Sequence, residues 1–165
     1  MNEHTTLELR EHIIEYLTDQ NVTIGEIADE AFALQQPYFT TLTRDECVDG
    51  LLNHVLMKRE VVLLAVTGLE IDRIASAHHF VEPLQHIIQN DDGLYGVDEH
   101  IAIGMTEPYG SIATTAYGYL DKAKHGVAKR LDESATDVNV NTFVDDIVSA
   151  LIADTSAYVA HNHDE

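Results

Sequence analysis

Long stretches of this chain lack the residues that interrupt helices, and this feature limits its fold more than any other. Only three prolines and nine glycines occur in 165 residues. The stretches between them are rich in Ala, Leu, Ile, Glu and Asp, which favour helices over a β fold with many turns. Apolar residues make up 45% of the chain, enough to build a core. We therefore predict an all-α fold, with residues 1–165 forming a single helical domain and a polar tail from about residue 160.

Capping signals and apolar periodicity predict four helices in the first half of the chain. They cover about residues 6–18, 24–35, 43–56 and 60–74, the last two being either separate or continuous. Thr23 with Glu26 and Thr43 with Glu46 have the spacing of capping boxes, which predicts the starts of the second and third helices.

The second half of the chain contains one segment that is apolar around its whole circumference. The predicted helices here cover about residues 84–88, 94–115, 119–131 and 143–158. The segment 94–115 is the apolar one, and a helix of that kind is usually buried. We expect a compact bundle with this central helix surrounded by the others, bent or interrupted at Pro108 and Gly110. Thr142 is expected to cap the last helix.

A formal net charge of −20 limits the partners of the chain. Phosphate backbones repel acidic surfaces, so we expect no nucleic-acid partner. The segment 23–28 has the apolar spacing of a helix-turn-helix unit, but it carries no basic residue. Four basic residues fall within nine positions, namely Lys122, Lys124, Lys129 and Arg130. Such a cluster either attracts an anion such as phosphate or forms an ordinary solvated helix face.

The sequence predicts neither a targeting segment nor a membrane-spanning segment. Its start is polar, and its longest apolar run, at 61–66, is far shorter than the roughly 18 residues that a spanning helix needs. The single cysteine, Cys47, suits a reducing compartment. We therefore expect a cytoplasmic protein, either free or peripheral to the membrane. Helical proteins of this size commonly self-associate through apolar faces, so the sequence is compatible with a homo-oligomer but does not fix the number of subunits.

Acidic residues on three predicted helices need an explanation beyond solvation. Asp98 and Glu99 lie in the apolar segment 94–115, where a buried unpaired carboxylate costs several kcal/mol. Asp121 precedes a lysine, and Asp145 and Asp146 directly precede an apolar run. Carboxylates from separate helices that meet in one core are typical of a site for Mg²⁺.

Each of these acids also has a purely structural interpretation. First-turn acids such as Asp145 and Asp146 complement the helix dipole, and Asp98 and Glu99 lie close enough to a helix start to do the same. Asp121 has lysines nearby with which it can pair. The spacing of the residues alone does not decide between these interpretations.

Four sequence elements together resemble the phosphatidylglycerophosphatase A family, and especially its soluble branch. They are Leu-Tyr-Gly-Val-Asp-Glu at 94–99, Tyr-Gly-Ser-Ile at 109–112, Tyr-Gly-Tyr-Leu-Asp-Lys at 117–122 and Thr-Phe-Val-Asp-Asp-Ile-Val at 142–148. Shorter pieces at 56–61 and 82–85 extend the resemblance over most of the chain.

The resemblance implies a Mg²⁺-dependent phosphatase that removes the terminal phosphate of phosphatidylglycerophosphate, a lipid met at the membrane surface. The metal ligands that it implies are Asp98, Glu99, Asp121, Asp145 and Asp146, and the catalytic residues are Asp121, Lys122 and Asp145. Lys122 would hold a phosphate oxygen or balance the acids. The alternative functions are a metal-dependent hydrolase of a soluble phosphate ester and a non-catalytic helical protein.

Overall fold

The computed structural model describes residues 2–163, which adopt the predicted all-α class. The helices are α1 (Glu3–Asp19), α2 (Ile24–Gln35), α3 (Arg44–Asn53), α4 (Arg59–Ser76), α5 (Leu84–Gln89), α6 (Val97–Thr106), α7 (Gly110–Ala123), α8 (Gly126–Glu133) and α9 (Val144–Asn162). Short 3-10 helices at Val55–Met57 and Glu107–Tyr109 separate α3 from α4 and α6 from α7. Within residues 2–163 there is no β-strand, only an isolated bridge between Thr136 and Asn139.

The central helix is α9, and the prediction that the segment 94–115 is central is wrong. Every residue of α9 from Val144 to Ala157 is buried. This helix packs against α2, α3, α4, α6, α7 and α8. By contrast, α6 and α7 lie against one side of α9 and expose Val97, Ile103 and Ile112 to solvent. Apolar residues around a helix thus did not distinguish a central helix from a peripheral one.

The sequence did not predict that α9 is central, because this helix contains several polar residues. The hydroxyls of Ser149 and Thr155 donate to backbone carbonyls four residues earlier on the same helix. Ser156 accepts a hydrogen bond from Gln35 Nε2 on α2 at 2.7 Å. Buried polar groups are tolerated when they have such partners. These hydrogen bonds offset the cost of burying the three hydroxyl groups.

The predicted starts of α2 and α3 are confirmed. In both capping boxes the threonine hydroxyl accepts the backbone N–H of the glutamate, and the glutamate carboxylate accepts the backbone N–H of the threonine. Helices α3 and α4 are separate, because a 3-10 helix and the extended backbone of Lys58 lie between them.

Backbone conformations with positive φ divide the second half of the chain. The segment 94–115 is interrupted at Pro108 and Gly110, as expected, and Gly110 has a φ of 77°. The prediction of one helix over 119–131 is wrong, because Lys124 and Gly126 have φ values of 33° and 58°. A residue in the left-handed region ends an α-helix, so α7 and α8 are distinct.

The start of α9 is capped by a distant residue and not by Thr142, as the sequence suggests. The Thr142 hydroxyl instead donates to the Ile88 carbonyl at 2.5 Å. Asp72 on α4 accepts the backbone N–H of Phe143 at 3.0 Å and that of Val144 at 2.9 Å. This carboxylate satisfies amides at the start of the helix that have no partner within it.

The last helix extends to Asn162, about four residues beyond its predicted end. His163 follows and contacts Glu46 at 2.7 Å and Thr41 at 2.8 Å. The chain is therefore ordered beyond the predicted start of the polar tail, and residues 164–165 of that tail lie outside the described residues. No helix within residues 2–163 combines the length and the apolar character needed to cross a membrane.

Candidate functional site

The first turn of α9 places two adjacent carboxyl groups inside the bundle. Asp145 and Asp146 are 2% and 4% exposed, respectively. The helix begins here because Asp72 holds the first amides, and this contact fixes the position of the first turn relative to α4. The two aspartates are thus held on a rigid element, although nearly all of their surface is removed from water.

Helices α6 and α7 bring further carboxyl groups to the same place. Asp98 lies in the first turn of α6 and is 7% exposed. Asp121 lies in the last turn of α7, four residues after Tyr117, so both face the same side of that helix. The Tyr117 hydroxyl donates to Asp146 Oδ1 at 3.3 Å. Asp121 also lies close enough to Asp146 for its charge to raise the pKa of that carboxyl group.

A fifth acid comes from the turn that follows α5. Asp91, which has a positive φ of 48°, lies near Asp98 and Asp145, and their charges influence one another. We call Asp91, Asp98, Asp121, Asp145 and Asp146 the carboxylate cluster.

Burial and neighbouring charges raise the pKa values of three members of the cluster. Burial raises the pKa of Asp146, and the charges of Asp145, Asp98 and Asp121 raise it further. Burial also raises the pKa of Asp145, against the opposing effect of a nearby lysine. Partial burial and the charge of Asp98 raise the pKa of Asp91. Burial is the largest cause of each shift, and the charges of neighbouring carboxylates add to it.

The lysine that contacts the cluster is Lys124. Its Nζ lies 2.9 Å from Asp145 Oδ2 and 3.5 Å from Asp132 Oδ1. Lys122, which the family resemblance selects, is exposed, and so is Glu99. The charge of Glu99 still reaches the cluster, since it contributes to the raised pKa values of Asp91 and Tyr117.

The structure thus brings together most, but not all, of the residues that the sequence selects. Asp98, Asp121, Asp145 and Asp146 meet, whereas Glu99 and Lys122 lie at the solvent side of α6 and α7. The roles of all six residues as metal ligands or catalytic groups stay predictions.

Three contributors were missed by the sequence analysis, namely Asp72, Asp91 and Tyr117, whereas Lys124 was selected only as part of a basic cluster. A signal existed for Tyr117, which lies in the same family-like element as Asp121. Asp91 was visible only as part of a helix-breaking Asn-Asp-Asp-Gly run. Nothing local marks Asp72, because its partners are 71 and 72 residues away along the chain.

Asp145 retains one carboxylate oxygen without a partner. Its Oδ2 is bound by Lys124, but its Oδ1 is buried and has no hydrogen bond. A buried oxygen of this kind is rare in a folded protein and costs free energy unless a further donor or cation reaches it.

The donor chemistry of the cluster fits a hard divalent cation. Within residues 2–163 no group of three or more His, Cys, Asp or Glu side chains is placed so that it could hold a metal ion as it stands. The cluster nevertheless supplies only carboxylate oxygens, which Mg²⁺ prefers, and the unpartnered Asp145 Oδ1 is such an oxygen. A cation there requires side-chain adjustment, because no three of the described acidic side chains are placed to hold it as they stand.

Two open cavities of the described part of the chain lie away from the carboxylate cluster. Cavities of about 650 Å³ and 420 Å³ flank the C-terminal end of α9, where Tyr158 and Asn162 line both. Neither is lined by a member of the carboxylate cluster, so cavity size does not identify the acidic site.

These features define a class of protein, an α-helical bundle in which carboxylates of the central helix lie close to carboxylates of the helices around it. The chain belongs to the phosphatidylglycerophosphatase A family, whose model matches residues 17–161. The resemblance inferred from the sequence is therefore confirmed at the level of the family.

Relatives of known sequence or structure support this membership. The chain is 39% identical to the uncharacterized protein YpjQ of Bacillus subtilis over 165 residues, covering all of this chain and 92% of that protein. It is 43% identical to the uncharacterized protein YutG of the same organism over 145 residues, covering 88% and 86%. The crystal structure of the low temperature requirement C protein from Listeria monocytogenes matches with a TM-score of 0.87 at 41% identity, covering 94% of this chain and 98% of that one.

Proposed function

We propose that the protein is a Mg²⁺-dependent phosphatase that hydrolyses the terminal phosphate of phosphatidylglycerophosphate. The observation that carries this proposal is the convergence of carboxylates from α6, α7 and α9, one of which has a buried oxygen, Asp145 Oδ1, without a hydrogen-bond partner. The family membership supplies the reaction class, since the matching model is that of phosphatidylglycerophosphatase A.

The residues that would hold Mg²⁺ are Asp98, Asp121, Asp145 and Asp146, with Glu99 at the solvent edge. When bound, Mg²⁺ neutralises phosphate oxygens and lowers the pKa of a water molecule that attacks phosphorus. Tyr117 orients Asp146 through its hydroxyl. A carboxyl group held by a second hydrogen-bonding residue keeps one orientation, which favours precise placement of the phosphate.

Proton transfer in this proposal falls to a carboxylate at the edge of the cluster. Asp121 is half-buried, in contact with Asp146 on one side and accessible from solvent on the other. Through the oxygen that does not hold Mg²⁺, it would accept one proton of the attacking water as the water oxygen bonds to phosphorus and the P–O ester bond breaks. The departing ester oxygen would take a proton from solvent and leave as the alcohol. Lys122, exposed next to Asp121, would contact a phosphate oxygen as the substrate approaches.

Phosphate release from phosphatidylglycerophosphate in mixed detergent micelles tests the proposal. We expect release in the presence of Mg²⁺ and background release with a chelator. Asp145→Asn and Asp146→Asn should each lower kcat/KM by about 100-fold or more, because each replaces a carboxylate oxygen that would hold Mg²⁺ with an amide nitrogen. Asp137→Asn is the matched control, since Asp137 is an exposed aspartate outside the cluster. Equal background release with and without Mg²⁺ would rule out the phosphatase.

The net charge favours a second candidate, the hydrolysis of a soluble phosphate ester. A chain with a formal charge of −20 is repelled by an anionic bilayer, where the lipid substrate resides. Glycerol 3-phosphate and other small esters should therefore be assayed beside the lipid, together with liposome pelleting. Turnover of the small esters without liposome binding would favour the soluble substrate, and no turnover of any ester would favour a non-catalytic protein.

A further inference from the structure

We propose that Lys124 is a built-in counter-cation of the carboxylate cluster, which releases Asp145 when a divalent cation binds and then offers its ammonium group to a phosphate oxygen. This inference rests on the proposed function, because it requires the cluster to bind a divalent cation.

The first step of the argument is the pairing of Lys124. Among the residues that the structure describes, its contact with Asp145 is the only salt bridge made by a member of the carboxylate cluster. A lysine is charged at neutral pH. The ammonium group therefore places a positive charge 2.9 Å from a carboxylate through which a divalent cation would bind.

The second step is the difference in exposure between the two partners. The Lys124 side chain is 34% exposed, whereas that of Asp145 is 3% exposed. A half-exposed lysine on a flexible four-carbon stem can move outward into water at little cost. Asp145 is held inside the first turn of the central helix and has no such freedom.

The third step is the presence of a second partner for the ammonium group on its solvent side. Asp132 on α8 lies 3.5 Å from Lys124 Nζ, and its side chain is 46% exposed. The lysine thus already contacts two carboxylates, one buried and one exposed. Breaking the inner contact leaves the outer one in place, so the ammonium group would stay close to the cluster after release.

The fourth step is competition between like charges. A divalent cation bound through Asp145 would lie within a few ångströms of Lys124 Nζ, and two positive charges in a partly desolvated site repel each other. Outward movement of Lys124 removes this repulsion and frees Asp145 Oδ2. Phosphate carries negative charge, so the displaced ammonium group gains a new partner when the substrate binds.

Mn²⁺ binding tests whether a divalent cation displaces Lys124 from Asp145, and it does so without an activity assay. The electron paramagnetic resonance signal of free Mn²⁺ measures this binding. Lys124→Met removes the competing charge and should bind Mn²⁺ about tenfold more tightly than the unchanged chain, as expected for a close charge pair. Lys124→Arg retains a positive charge and should bind Mn²⁺ with an affinity near that of the unchanged chain. Lys129→Met is the matched control, because Lys129 is a solvent-exposed lysine on α8 that pairs with Glu133.

Thermal unfolding separates this role from a purely structural one. If Lys124 only stabilises the fold, Lys124→Met will lower the melting temperature by the same amount with and without Mn²⁺. If it substitutes for the metal, the loss will be large in metal-free buffer and will shrink as Mn²⁺ saturates the site. This comparison also applies if Lys124→Met is unfolded without metal, because added Mn²⁺ should then restore the folded state.

Inorganic phosphate tests the second half of the exchange. With Mn²⁺ bound, phosphate should bind several-fold more weakly to Lys124→Met than to Lys129→Met. Equal or weaker Mn²⁺ binding by Lys124→Met would overturn the inference and leave the proposed metal site intact. Absence of Mn²⁺ binding by the unchanged chain would overturn the proposed function and this inference together.

Discussion

The carboxylate of Asp72 on α4 accepts the backbone N–H of Val144 at 2.9 Å, across 72 residues of sequence. Burial raises the pKa of Asp72, whereas its bonds to the amides of Val144 and Phe143 oppose that shift. This contact fixes the start of the central helix, and Asp145 and Asp146 directly follow it. The position of the candidate site therefore depends on a residue that lies outside it.

We predict that Asp72→Ala destabilises the protein by about 3 kcal/mol, because two buried amides lose their acceptor. Asp72→Asn keeps one acceptor oxygen and should cost less than half as much. Urea unfolding measures both values, and Asp137→Asn serves as an exposed control. A loss below about 0.5 kcal/mol for Asp72→Ala would show that water or another group satisfies these amides.

A second prediction concerns Asp154, which is fully buried on α9 with no hydrogen bond to either carboxylate oxygen. Burial raises its pKa well above the usual range, and the charge of Lys58 only partly opposes this shift. The folded state therefore holds a proton that the unfolded state releases above about pH 4. Stability must then fall as the pH rises from that value toward the pKa of the folded state.

Asp154→Asn should remove this loss. The variant and the unchanged chain should differ little in stability near pH 4. Above that pH the variant should become the more stable of the two, by up to about 1.4 kcal/mol for each pH unit. Urea unfolding at several pH values between 4 and 8 measures the difference. A difference that is independent of pH would mean that Asp154 is not protonated in the folded protein.

A third prediction separates two tyrosines on the same helix. Tyr117→Phe removes the hydroxyl that donates to Asp146 and should lower kcat/KM or metal affinity by about tenfold, as for other residues that orient metal ligands. Tyr119→Phe is the control, because Tyr119 is 57% exposed. The melting temperatures of both variants should stay close to that of the unchanged chain. Equal activity of the two variants would contradict a positioning role for Tyr117.

A fourth prediction compares two glycines in helices. A Cβ atom at Gly68 would lie 2.7 Å from Ile147 Cδ1 and 3.3 Å from Phe143 Cδ1, both on buried side chains. Gly68→Ala should therefore destabilise the contact between α4 and α9 by about 1–3 kcal/mol. A Cβ atom at Gly118 meets nothing within 4 Å, so Gly118→Ala should stabilise α7 by up to about 1 kcal/mol. Thermal unfolding distinguishes these opposite signs.

Local signals in the sequence predicted much of the secondary structure because they act over a few residues. The capping boxes at Thr23 and Thr43 and the interruption at Pro108 are examples. The end of α7 at Lys124 was not predicted. A lysine in the left-handed region carries no local mark, so the sequence predicted a continuous helix where α7 ends and α8 begins.

What the sequence by itself determined was the all-α class, the family, and the presence of acids that do not suit simple solvation, since each depends on composition or on short-range pattern. Only the tertiary structure decided that α9 is central, that Asp72 caps it, and that Lys124 contacts Asp145. The physical reason is separation along the chain. Lys124 is 21 residues from Asp145, and Tyr117 is 29 residues from Asp146, so these contacts exist only after the helices have packed.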